Sequence, residues 1–232
     1  MSGPGSRPED AYISSFPVAC PENWYCMNMD YAHSVEALIP GVHGRVLGAL
    51  ARTQGDLSMR QVAKLAAVSP TQASEVLGRL GKLGVIQRRD VGRSALVRLD
   101  RSNAAGRLIE RLATLHGEVL EQLRDAAADI APTPAALVVF GSFARGQATP
   151  ESDVDVLAVR PKGIGADDEQ WVSSLGHWAD LAGHIAGNPV NLIDVALSDV
   201  RPRPKLDGRL WRNIKTDGIS LVGPDPEDIL KP

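Results

Sequence analysis

The sequence predicts an α+β chain of two modules: three helices closed by a β-hairpin, then a long helix, then a mixed sheet. Three observations predict it. Apolar residues recur at helical spacing from Val42 to Leu83, interrupted by two helix-capping patterns. A basic stretch, Val85 to Leu99, is split by Val91-Gly92-Arg93 into two β-rich runs. Further on, the uncharged run Ala136 to Phe140 leads into Gly141-Ser142, and ten residues separate Ser142 from Asp153-Val154-Asp155.

At 232 residues, with 44% hydrophobic and 23% charged content, the chain has the composition of a globular protein of one large or two small domains. The polar, Pro- and Gly-rich opening carries no secretory signal. The longest uncharged stretch, Ile130 to Ala144, is too short to span a bilayer. A cytoplasmic protein with no membrane contact is expected. Cys20 and Cys26 then read as free thiols, with a disulfide or a two-ligand metal site as the alternatives. Charge is uneven. Residues 41–101 hold eleven Arg and Lys against four acids, a surplus of +7, so the remainder carries −10 of the net −3. A basic module joined to an acidic one suggests that the first faces a polyanion.

Residues 1–33 lack periodicity and are expected to be an unstructured extension. Val42, Val46, Leu47 and Leu50 mark a first helix. Ser58-Met59-Arg60-Gln61 opens a second, with Val62, Leu65 and Ala66 inward. Ser69-Pro70-Thr71-Gln72 opens a third, with Ala73, Val76, Leu77, Leu80 and Leu83 inward. The hairpin follows. Residues 103–131 read as one long helix with Leu108, Leu112, Leu115, Val119, Leu123 and Ile130 on one stripe, either a connector or a homodimer seam. Ala131-Pro132-Thr133-Pro134 ends it. After the Asp pair come a helix from Asp168 to Ala186, a strand from Val190 to Leu197, a helix from Leu206 to Lys215 and a strand from Ile219 to Val222. Residues 224–232 read as a loose tail. His177 and His184 lie seven apart without a third ligand and read as surface or packing residues.

Chemistry concentrates between Phe140 and Asp155. Gly141 permits a sharp turn and close backbone approach to a ligand. Ser142 adds a hydroxyl beside backbone N–H groups, a phosphate-holding arrangement. Asp153 and Asp155, at i and i+2, share one face of a strand. Two adjacent hard oxygen ligands suit Mg²⁺, which takes one or two carboxylates plus substrate phosphates.

Gly141-Ser142, Ala144-Arg145-Gly146 and Ser152-Asp153-x-Asp155 resemble the signature of the minimal nucleotidyltransferases of the DNA polymerase β superfamily, anchoring residues 133–223. The resemblance implies that Gly141, Ser142, Arg145 and Ser152 hold the phosphates of a nucleoside triphosphate, ATP foremost. It implies that Asp153 and Asp155 bind two Mg²⁺ ions, and that a third carboxylate on a later strand completes the site. That slot falls on Asn191, or on Asp194 after a shift of three. The two cannot share a strand face because the offset is odd; Asp194 is the catalytic candidate. Relatives that adenylylate a partner toxin imply a toxin-like protein as one acceptor, beside nucleic acid and small molecules. A domain without its third ligand would bind a nucleotide without turning it over, as a sensor attached to a transcriptional regulator.

Residues 35–101 resemble a bacterial winged helix-turn-helix. The resemblance implies double-stranded DNA as a partner. Thr71, Gln72, Ser74 and Glu75 would face base edges, and Arg79, Lys82, Arg88, Arg89 and Arg93 would contact phosphates. A docking or dimerisation role for such a module is the alternative.

Overall fold

The chain divides into two units, Met29–Glu118 and Val119–Pro232, with Met1–Asn28 joining the second. The structure, a computed structural model, describes residues 14–17, 29–92, 94–200 and 208–229. Cys20, Cys26 and Arg93 therefore lie outside the described residues. No described helix is long and apolar enough to cross a membrane.

In chain order the elements begin with strand β1 (Ser14–Pro17), which belongs to the second unit. The first unit holds helices α1 (Ser34–Leu38) and α2 (Val42–Ala51), the short strand β2 (Leu57–Ser58), helices α3 (Met59–Leu65) and α4 (Pro70–Lys82), strands β3 (Ile86–Val91) and β4 (Ser94–Leu99), and helix α5 (Ala104–Ala113). Helix α6 (Leu115–Ala127) contains the boundary. The second unit continues with β5 (Ala136–Phe140), α7 (Gly141–Ala144), β6 (Val154–Arg160), α8 (Glu169–Ala186), β7 (Val190–Ala196), α9 (Leu197–Val200), α10 (Arg209–Asp217), β8 (Ile219–Val222) and α11 (Pro226–Ile229).

Both capping boxes of the first unit form. Ser58 accepts from the Gln61 N–H and Ser69 from the Gln72 N–H, while each glutamine side chain accepts from its serine's N–H. Each box satisfies two donors that a helix start leaves orphaned, and Pro70 fills the first position of α4, where its missing N–H is harmless. The buried core draws Val46, Leu47 and Leu50 from α2, Val62 from α3, Val76, Leu77 and Leu80 from α4, and Ile86, Val97 and Leu99 from the hairpin. The sheet order β2-β4-β3 places the hairpin beside the start of α3.

Several expectations need correction. Residues 1–33 are not uniformly unstructured: Ser14–Pro17 pairs antiparallel with β7, and Tyr31 is buried. Leu65 and Leu83, expected inward, are 55% and 70% exposed, because α3 and α4 end there and the apolar stripe has already run out. The helix predicted over residues 103–131 is two helices. Thr114 leaves helical geometry at φ −111°, and its hydroxyl donates to the carbonyls of Glu110 and Arg111. Such back-bonding competes with continuation of the helix. Leu108, assigned to the stripe, is 63% exposed, whereas Ile109 and Leu112 pack on the first core. The tail contains α11, whose Pro226 and Ile229 are buried.

The sheet of the second unit runs β1-β7-β6-β5-β8. Only β6 and β7 are parallel, as the intervening crossover helix α8 requires. Every residue of β5 is buried, as expected for a strand covered on both faces. Register fixes which side chains share a face. Ala136, Val138 and Phe140 line up with Val159, Leu157 and Asp155, and these with Val195, Ile193 and Asn191. That face packs on Ile214 of α10 and Ile229 of α11. The opposite face carries Ala158, Arg160, Leu192 and Asp194, with Trp171 of α8 bonded to Asp194.

Candidate active site

The end of β5 and the starts of β6 and β7 meet at one edge of the sheet. Phe140 pairs with Asp155, and Asp155 with Asn191. Immediately after Phe140 the chain turns at Gly141 with φ +77°, a conformation that L side chains rarely adopt. A Cβ there would lie 2.7 Å from Asp155 Oδ2. The turn expected from sequence is thus real, and it presses bare backbone against a carboxylate. It continues into the single-turn α7, which buries Phe143 and Ala144 beneath it.

Asp155 is half-buried and Asp153, just before β6, is exposed. Burial pushes the Asp155 carboxyl above its ordinary range, and the Asp153 charge pushes in the same direction. A hydrogen bond from Asn191 Nδ2 to Asp155 Oδ1, at 2.9 Å, opposes them. Asp153 and Asp155 are two hard oxygen donors at one end of the sheet, the donor chemistry that suits a divalent cation whose other ligands come from phosphate and water. Among the described residues no group of three or more His, Cys, Asp or Glu is placed to hold a metal.

The remaining predicted site residues divide. Ser142 is half-buried on the turn, and its carbonyl accepts from the Gln147 N–H at 2.9 Å. The Ser152 hydroxyl accepts from the Thr149 N–H at 3.0 Å, closing the turn before β6 rather than standing free. Arg145 is committed to protein partners: Nη1 pairs with Asp217 at the end of α10, and Nε bonds Gln147 at 3.1 Å. Sequence reasoning missed Asp217. It reaches this edge because Ile219 pairs with Val139, a placement only the topology reveals.

Asp194, the predicted third carboxylate, does not join Asp153 and Asp155. It is 3% exposed on the opposite sheet face. Trp171 Nε1 donates to its Oδ2 at 3.3 Å, and Arg160 Nε lies 3.2 Å from its Oδ1. Burial raises its pKa, against the pull of Trp171 and Arg160. It is a core ion pair. The slot opposite Asp155 belongs to Asn191.

Residues 120–206 match the nucleotidyltransferase domain family. The match spans 87 of the 232 residues. That match supports nucleotidyl transfer as the activity of the matched segment. Among solved structures, the nucleotidyltransferase domain's chain is similar to a mutant of the MntA-HpeT toxin–antitoxin at 16% identity and to a toxin–antitoxin with AMP-PNP at 18%. Each similarity covers 48% of this chain and 80% of the other, at a TM-score of 0.34. No curated protein matches the chain.

In the first unit, Thr71, Ser74 and Lys82 are exposed on α4. Gln72 is exposed, and its side-chain oxygen accepts from the Ser69 N–H at 3.1 Å in the capping box, which leaves its amide NH2 for other partners. Arg79 pairs with Glu75 at 2.7 Å, Arg88 with Asp90 at 3.2 Å and Arg89 with Asp56 at 3.1 Å. All three pairs are solvent-exposed on the arginine side, where such bridges contribute little and exchange readily.

Proposed function

We propose that the chain is a DNA-binding nucleotidyltransferase, with a winged helix-turn-helix over residues 35–101 and the transferase over residues 133–223. The observation that carries the transferase reading is the packing of the Gly141 turn directly on Asp155. It brings backbone that can approach a ligand closely and a metal-seeking carboxylate together at one end of the sheet. Gly141 and Ser142 hold the phosphates of ATP, and Asp153 and Asp155 hold Mg²⁺. The bound cation supplies neutralisation of triphosphate charge. An acceptor hydroxyl attacks the α-phosphorus, the bond to the β-phosphate breaks, and pyrophosphate leaves. Asn191 is neutral and takes up no proton, so the hydroxyl's proton passes to water. Arg145 joins the phosphates only by giving up Asp217. The acceptor class supported by resemblance is a hydroxyl side chain of a partner protein.

Labelled ATP, Mg²⁺ and a native lysate test this reading, with the Asp153→Ala/Asp155→Ala chain as control. Transfer of label that the double change abolishes is expected; equal labelling by both chains overturns the assignment. Binding of double-stranded DNA is supported by the +7 surplus of residues 41–101 and by the exposure of Thr71, Ser74, Lys82 and Arg88. Neutralising several phosphates demands a steep fall of affinity with salt. A flat salt dependence counts against it.

A second reading is favoured by Asn191. With an amide opposite Asp155 and Asp194 on the other face, the domain would bind a nucleotide without turning it over, as a sensor controlling the DNA-binding module. Tight ATP binding that alters DNA affinity without label transfer is its signature.

A further inference from the structure

We infer that Asn191 is a positioning residue that sets which oxygen of Asp155 faces the ligand. The inference rests on the nucleotidyl-transfer reading of the site. Strands β6 and β7 are parallel, and their register sets Asp155 directly beside Asn191 on one face. The amide spans that gap and donates to Oδ1 at 2.9 Å. The other oxygen, Oδ2, is the one against the Gly141 Cα, 2.7 Å from where a Cβ would sit. The carboxylate is therefore clamped between a donor on one side and bare backbone on the other. Its plane is fixed, and Oδ2 is presented singly toward the turn.

An unclamped aspartate would not do this. Rotation about its last bond is broad, so both oxygens would sample the turn side. The amide donor keeps Asp155 oriented and free on one oxygen. The site then offers two negative charges to cations, one on Asp153 and one on Asp155, and none from β7.

The test uses the full-length chain and Mn²⁺ with a non-hydrolysable ATP analogue, read by titration calorimetry. Removing a partner that orients a metal ligand weakens metal affinity by roughly 10–100-fold. Asn191→Ala should therefore bind the Mn²⁺–nucleotide at least about tenfold more weakly, with its melting curve retained. Asn191→Ser, which keeps a donor on a shorter side chain, should recover part of that loss. A residue that merely fills the sheet would leave the serine and alanine chains alike, and that result overturns the inference. So does wild-type affinity in the alanine chain. Should Asp155→Ala also bind with wild-type affinity, the nucleotidyl-transfer reading of the site falls instead. If the alanine chain does not fold, the serine chain alone decides: wild-type affinity with the donor shortened refutes the clamp, and an intermediate loss supports it.

Discussion

Gly141→Ala should damage both stability and nucleotide binding, for reasons that can be separated. The backbone holds φ +77°, and an L residue there costs about 1–2 kcal/mol. The new Cβ would meet Asp155 Oδ2 at 2.7 Å, a separation that real Cβ atoms essentially never show. The carboxylate cannot simply swing aside, because Asn191 holds its other oxygen at 2.9 Å. Breaking that bond costs roughly 1.5–3 kcal/mol, as for hydrogen bonds to charged groups. Together the two effects amount to about 2.5–5 kcal/mol. For a unit of this size about 1 kcal/mol moves the melting midpoint by roughly 4 °C, so a fall of about 10–20 °C is expected. Gly163→Ala is the internal control. Its φ is +90° with nothing within 4 Å of the added Cβ, so strain acts alone and the loss should be less than half as large. Differential scanning calorimetry gives both values, and titration with an ATP analogue reports the site. Equal losses in the two chains, with nucleotide binding intact in Gly141→Ala, would refute the close packing of turn on carboxylate.

Three further outcomes follow from the same geometry. Asp194→Ala should destabilise the second unit by about 3–5 kcal/mol, since it strands Arg160, 7% exposed, without its partner; denaturant unfolding measures this, and loss of transfer in a chain of unchanged stability would contradict a purely structural Asp194. Ser69→Ala should remove about 1 kcal/mol from the first unit by opening the α4 capping box, with urea unfolding as the check. Asp155 supplies a pH dependence: its folded pKa is raised above 3.8, so its contribution is fully present below the unfolded value and is lost as pH rises through the folded one. Without divalent cations, wild type should lose stability relative to Asp155→Asn over that window, and melts at stepped pH that keep a constant difference would argue against it.

Much of the fold was legible because local chemistry and global structure agree. Ser58 and Ser69 begin helices where their glutamines sit three residues on, and Gly92 turns the hairpin. The uncharged run from Ala136 to Phe140 is buried throughout. Failures occurred where the answer depended on neighbours distant in sequence. Thr114 breaks a helix whose apolar stripe reads as continuous: Ile109 and Leu112 before it pack on the first core, while Val119 and Leu123 after it belong to the second unit. Ser152 and Arg145 belong to a legible motif, but Thr149 and Asp217 occupy their polar atoms. Gln72 lies at the exposed start of α4, and the cap that starts the helix engages its side-chain oxygen. Spacing says nothing of such partners.

Strand parity decided between Asn191 and Asp194 as the neighbour of Asp155, and the consequence is electrostatic. With Asp194 turned to the α8 face, the site edge holds two acids and an amide. Half-burial and the nearby Asp153 both work against charge on Asp155, and Asn191 offsets them only in part. A cation bound beside Asp155 would favour the ionised carboxylate, which desolvation and Asp153 disfavour. Linkage then requires that anything bringing a cation, such as a nucleotide arriving with its Mg²⁺, bind more tightly as pH rises through the Asp155 value. Apparent affinity for the Mn²⁺–nucleotide should climb with pH over that interval and level off above it. Asp155→Asn should bind weakly at every pH, with no such rise.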